Sequence, residues 1–122
     1  MLKKTVIIGA TPNTSRFAYL AAEMLTKYNY EIAPVGIKTG EVFGNKILDI
    51  RQKPAIDNVD TVTLYIGPQH HPEWYNYILS LMPKRIIFNP GTENSEFELL
   101  AEKQGIETLE ACTLVMLRTG QY

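Results

Sequence analysis

The chain has 122 residues, enough for one ordinary hydrophobic core and too few for two, so a single domain over residues 1–122 is expected. With 45% hydrophobic and 20% charged residues it is neither a disordered chain nor a disulfide-built miniature, and its one cysteine, Cys112, has no internal partner. Lys and Arg number 12 against 13 Asp and Glu, and the resulting formal charge of −1 provides no broad attraction to nucleic acid or to anionic membranes.

Met1 to Lys4 run straight into Thr5-Val6-Ile7-Ile8. This apolar run is too short for a signal-peptide core or a membrane span, and a cytoplasmic location is expected. Its β-branched residues, closed by Gly9, predict a strand buried on both faces of a parallel sheet. A turn-forming cluster follows from Ala10 to Ser15, with Ser15 the expected N-cap, before Phe17, Leu20, Ala21, Met24, Leu25 and Tyr28 fall on one helical stripe. Asn29 suits a left-handed helix end, and Glu31 to Val35 reads as a second strand in which Pro34 favours an end or edge position. Gly36 to Ile50, with glycines at 36, 40 and 44, predicts a loop carrying a short irregular strand, and the polar stretch from Arg51 to Asn58 predicts a surface connection.

Thr61 to Ile66 is the next strand, stopped by Gly67-Pro68. Trp74, Tyr77, Ile78 and Leu81 mark the core face of a helix that Pro83 ends. Arg85 to Phe88 supplies another strand, closed by Asn89-Pro90-Gly91. Ser95-Glu96-Phe97-Glu98 has capping-box spacing ahead of Leu99, Leu100 and Ala101, with Gly105 as the stop. A short strand from Ile106 to Leu109 precedes the tail Cys112 to Leu117, which suits a helix or a strand. Strands alternating with helices in this way predict an α/β fold: a three-layer, doubly wound, Rossmann-like parallel sheet.

In such a sheet, ligands bind outside the carboxyl ends of the strands, where the strand order reverses. The glycine turn before the first helix directs backbone N–H groups and the positive end of the helix dipole toward one point, which suits a phosphate. Thr11, Asn13 and Ser15 add side-chain donors, Arg16 a charge-assisted fork and Lys38 a second cation from the neighbouring strand. The residues equally allow a plainer arrangement, in which Gly9 permits the turn, Ser15 caps the helix and both cations are solvated. A dinucleotide fingerprint would need G-x-G-x-x-G/A and an acid at the end of the second strand. Gly9 stands alone and Pro34-Val35-Gly36-Ile37-Lys38 offers a lysine, which disfavours NAD more than NADP or coenzyme A.

The same residues carry a resemblance. Gly9-Ala10-Thr11-Pro12-Asn13-Thr14-Ser15-Arg16, followed by Pro34-Val35, Lys38-Thr39-Gly40 and Asn89-Pro90-Gly91-Thr92, resembles the small stand-alone CoA-binding proteins over nearly the whole chain. That family is similar in fold to the CoA-binding domain of the succinyl-CoA synthetase α subunit. By this likeness Gly9, Ala10 and Thr11, with Ser15 and Arg16, would hold coenzyme A phosphates. Val35 and Lys38 would lie along the nucleotide, Ile66, Gly67 and Pro68 would border its adenine side, and Asn89, Pro90 and Gly91 would form a further turn on the rim. The synthetase's phosphorylated histidine belongs to a second domain that this chain lacks, so the ligase reaction is not implied.

No catalytic or metal-binding constellation is expected. His70 and His71 are adjacent, without an i+4 histidine or a cysteine pair. Cys112 reads as a small buried hydrophobe, Trp74 and Tyr77 as core, and Glu93, Glu96, Glu98 and Glu102 as helix-dipole or solvated acids. The expected function is a non-catalytic coenzyme A or acyl-CoA module. The alternatives are an NADP-dependent oxidoreductase, a subunit of a two-component CoA enzyme, or an interaction protein with a vestigial site. A nucleotide-like small molecule is the expected partner, with room for a homo-oligomer or an enzyme partner.

Overall fold

Thr5, Val6, Ile7 and Ile8 are fully buried in the computed structural model, which describes residues 3–122; the expectations on Met1 and Leu2 lie outside the described residues. In chain order the strands are β1 (Lys4–Ile8), β2 (Glu31–Gly36), β3 (Glu41–Val42), β4 (Asn45–Lys46), β5 (Leu48–Asp49), β6 (Val59–Leu64), β7 (Arg85–Phe88) and β8 (Glu107–Glu110), and the α-helices are α1 (Phe17–Lys27), α2 (Tyr75–Ser80), α3 (Ser95–Lys103) and α4 (Thr113–Arg118). An apolar run with no polar face must be covered on both sides, and β1 lies inside a six-stranded sheet of order β5-β2-β1-β6-β7-β8. Every pairing in that sheet is parallel. Successive side chains leave a strand on opposite faces, so Ile7 packs with Ala18, Ala22, Leu25 and Leu117 of α1 and α4. Val6 and Ile8 join the core that holds Ile78 of α2 and Phe97 and Ala101 of α3. This is the expected three-layer, Rossmann-like single domain.

Local features differ from the sequence reading where a neighbour claims a group first. Asn13 Oδ1 accepts from the Ser15 amide at 3.0 Å and from its hydroxyl at 2.8 Å, so Ser15 is locked in the turn and Arg16 takes the N-cap position with extended backbone and no side-chain cap. The buried face of α1 is Ala18, Ala21, Ala22 and Leu25, which leaves Phe17, expected on the apolar stripe, 69% exposed. At α3 the cap is Asn94, whose Oδ1 accepts from the Phe97 amide at 3.1 Å, and Ser95 is the first helical residue.

Pro34 lies in the second strand from the sheet edge rather than at the edge. The carbonyl of Val35 faces β1, so the Pro34 nitrogen, one residue earlier, faces the opposite side, where the short β5 pairs only with Val35 and Gly36. The segment from Gly36 to Ile50 contains β5 and a small hairpin of β3 and β4, which turns at Phe43 and Gly44, both with positive φ. The apolar tail is the helix α4.

Candidate functional site

The strand order runs outward from β1 through β2 to β5, then returns across β1 to β6, β7 and β8. At the carboxyl ends of β1 and β6, where this reversal occurs, lies an open cleft of 760 Å³. That volume is within the range of roughly 300–1,000 Å³ usual for small-molecule sites. Gly9, Ala10, Thr11, Asn13, Ser15 and Arg16 form its wall from the first turn. Lys38 enters from the end of β2, Ile66 and Gly67 follow β6, and Pro90 and Gly91 follow β7. Val35, Pro68 and Asn89 do not line the cleft.

The hydrogen bonds of the turn decide which amides face a ligand. Gly9 N and Ala10 N both donate to Val35 O, at 2.9 and 3.1 Å, so these two groups are spent on joining β1 to β2. Asn13 N donates to Thr11 Oγ1 at 3.1 Å, and Arg16 N to Asn13 O at 3.1 Å. The amides of Thr11, Thr14, Phe17 and Ala18 have no partner among the described residues, and the last two belong to the open N-terminus of α1. Arg16 and Lys38 are exposed, and neither forms an ion pair among the described residues.

Residues 3–118 match the family model of the CoA binding domain. The chain belongs to this CoA-binding domain family. A crystal structure of an uncharacterized protein is 56% identical, covering 100% of this chain and 99% of its own, with a TM-score of 0.96. A Thermus thermophilus structure is 20% identical, over 99% of this chain and 91% of that one, with a TM-score of 0.83. A hypothetical protein from Pyrococcus horikoshii OT3 is 24% identical, over 97% and 83% of the two chains, with a TM-score of 0.84. At these last two identities the likeness is one of fold alone. No curated protein matches the chain.

Two residues of this CoA-binding domain have packing roles that the sequence does not display. Gly9 has a φ of +95°, and a Cβ there would lie 2.9 Å from both Ile66 Cγ2 and Tyr65 O, so glycine is needed to seat the turn against the end of β6. Asn89 is buried at 3% exposure. Its Nδ2 donates to Thr63 Oγ1 at 2.6 Å and Leu64 O at 2.8 Å, and its Oδ1 accepts from Thr113 N at 2.9 Å, bracing β6, β7 and the start of α4 behind the cleft.

Sequence reasoning missed several lining residues. Phe17 and Ile37, at 69% and 59% exposure, border the opening and put apolar surface beside Arg16 and Lys38. Trp74 packs half-buried on the core and also lines the cleft, where two short 3₁₀ turns, Pro68–His70 and Pro72–Trp74, bring in His70 and Glu73. No local pattern marks them, because the path of that connection depends on what His71 touches. Tyr65 lines the floor, and burial pushes its phenol up to about 12, so it remains a neutral hydroxyl at physiological pH. Among the described residues no cluster of His, Cys, Asp and Glu is placed to hold a metal ion, and no helix is long and apolar enough to cross a membrane.

Proposed function

We propose that this domain binds coenzyme A or an acyl-CoA in the cleft, as a phosphate-binding module of the cytoplasm with no reaction of its own. The observation that carries this reading is the meeting, at one switch-point cleft, of first-turn amides and two cations, Arg16 and Lys38, that have no partner among the described residues. The diphosphate is assigned to the amides of Thr11, Phe17 and Ala18 and to the Arg16 guanidinium, with the side chains of Thr11, Asn13 and Ser15 around it. Gly9 and Ala10 shape this wall through their bonds to Val35, and Asn89 supports the rim formed by Pro90 and Gly91. Phe17 and Ile37 supply apolar surface for the uncharged parts of the ligand, and Ile66, Gly67 and Pro68 belong to the opposite wall or directly follow it. Lys38 also borders a smaller pocket of 340 Å³ with Lys46, where Arg51 is already paired with Asp49 at 2.9 Å, so the two lysines are the cations suited to a phosphate on the ribose. Any chemistry on a bound thioester is left to a partner protein.

Isothermal titration with coenzyme A, dephospho-CoA, NADP and NAD tests the reading. Coenzyme A is expected to bind best, and Arg16→Ala to weaken it about tenfold, the loss of one charge-assisted hydrogen bond. The absence of coenzyme A binding, or an unchanged affinity in Arg16→Ala with the fold intact, refutes the assignment. Lys38, standing where an NAD site has an acid, also suits NADP; tighter binding of NADP would favour the oxidoreductase reading.

A further inference from the structure

His71 is completely buried, and both of its ring nitrogens are engaged. Nε2 lies 2.9 Å from the carbonyl of Ile66, and Nδ1 lies 3.1 Å from Asn94 Nδ2. A carbonyl can only accept, so Nε2 carries the hydrogen; a carboxamide nitrogen can only donate, so Nδ1 is the acceptor. The Asn94 carboxamide is held in this orientation because its Oδ1 caps α3 through Phe97 N at 3.1 Å and its Nδ2 also donates to the Tyr75 hydroxyl at 3.0 Å.

This arrangement ties the cleft wall after β6 to the N-terminus of α3. Ile66 is part of the cleft wall, and the connection beyond it, closed by His70 N to Gly67 O, His71 N to Pro68 O and Trp74 N to His71 O, delivers His70, Glu73 and Trp74 to the opening. We propose that His71 is the positioning residue of this wall, that it acts only as the neutral imidazole protonated on Nε2, and that a proton on Nδ1 releases the wall and weakens binding in the cleft.

A proton on Nδ1 would face the donor Nδ2 of Asn94. Turning the carboxamide over would give up the α3 cap and the Tyr75 bond. The surroundings offer the imidazolium little. Phe88 of β7 and Phe97 of α3 pack on the ring at centroid distances of 6.3 and 5.7 Å. The nearby titratable groups are His70, a like charge when protonated, Tyr75 of α2 and Glu96 of α3, whose carboxylate is already taken by the Tyr75 hydroxyl at 2.9 Å. Burial holds the ring below its ordinary value of 6.5. The latch is therefore closed above that value and opens as pH falls through the lower, folded-state value.

The binding half of the proposal rests on the ligand reading of the cleft, so the test separates the two. Nitrogen-15 NMR of the free protein between pH 8 and 5 reads the tautomer and titration of His71, while hydrogen exchange reads protection of the His70, His71 and Trp74 amides. The expected result is an Nε2–H tautomer at pH 8 and protection that falls, by up to about tenfold per pH unit, between pH 6.5 and the ring's own titration in the folded protein, levelling off below it. His71→Gln keeps a donor for Ile66 but cannot titrate. Asn94→Asp keeps the α3 cap and supplies an acceptor for Nδ1–H. His71→Gln should show flat protection, and Asn94→Asp protection that rises as pH falls, because its carboxylate pairs with the imidazolium. An Nδ1–H tautomer, constant protection between pH 6.5 and the ring's titration, or a loss of protection at low pH in both variants would overturn the latch. Titration of coenzyme A into the same samples at pH 7.5 and 5.5 should show a larger loss of affinity in the wild type than in either variant. Equal losses overturn the binding half, whereas a failure of coenzyme A to bind at either pH overturns the ligand reading and leaves the latch to the exchange data.

Discussion

Asn89→Leu separates a structural role from a ligand contact at one position. Leucine matches the side chain in size but removes both donors and the acceptor from a site with 3% exposure. The Thr113 amide loses the Asn89 Oδ1 acceptor at 2.9 Å, and the Leu64 carbonyl loses its Nδ2 donor at 2.8 Å, both of them buried bonds. Thr63 Oγ1 keeps its bond to Thr113 Oγ1 at 2.8 Å, so it is not stranded. The bonds from the Thr92 amide and hydroxyl go to the Asn89 backbone carbonyl and survive the substitution, which confines the effect to the side chain. Each stranded buried group costs roughly 1–3 kcal/mol, giving a loss of roughly 2–6 kcal/mol for the two. For a domain of this size that lowers the melting temperature by roughly 8–24 °C. Differential scanning calorimetry reads the shift directly. A drop under about 2 °C, on the same scale, accompanied by a loss of coenzyme A affinity, would refute the reasoning and return Asn89 to the ligand site.

Other substitutions test the fold around the cleft and at the opposite end of the sheet. Gly9→Ala forces a side chain into a left-handed backbone and against Tyr65 O and Ile66 Cγ2, both at 2.9 Å, and should cost about 1–3 kcal/mol in urea unfolding; unchanged stability would show that the turn relaxes freely. Burial, with Glu110 and Glu102 alongside, raises the Glu98 carboxyl from 4.5 to about 7. Its contribution to stability is thus complete below pH 4.5 and lost as pH rises through 7, so the gain in urea midpoint from Glu98→Gln should be larger at pH 8 than at pH 5. An equal gain at both values would contradict that sign. Tyr122 covers Arg85, stacking under its guanidinium at 4.5 Å and meeting the Tyr30 ring edge-on at 4.9 Å, while its hydroxyl bonds Thr5. Tyr122→Ala should cost about 2–3 kcal/mol in thermal or urea unfolding, and a neutral result would mean that the rest of the sheet shields Arg85 alone.

Much of the architecture was legible in local patterns. The β-branched run Thr5 to Ile8 could be satisfied only by cover on both faces, and its alternation with helical stretches led to the doubly wound sheet. The glycine turn after it was recognisable for the same reason, since a strand, a turn and a helix must meet there whatever the ligand. The helix caps were less legible because two polar side chains stood within reach at each end. Asn13 captured Ser15 and Asn94 displaced Ser95, choices of one residue that depend on backbone angles rather than composition. His70 and His71 look alike as a pair, yet one borders the cleft and the other is sealed between Phe88 and Phe97.

What the sequence determined by itself was the succession of elements and the place of the glycine turn between the first strand and the first helix, because periodicity, β-branching and turn chemistry act over a few neighbouring residues. Tertiary structure decided which groups at that turn are free. Gly9 and Ala10 give their amides to Val35, a residue of the adjacent strand, and the parallel register that pairs Ile8 with Val35 is a property of the assembled sheet. A donor's availability depends on the acceptor that folding brings beside it, and no local pattern around residues 9 and 10 encodes that encounter.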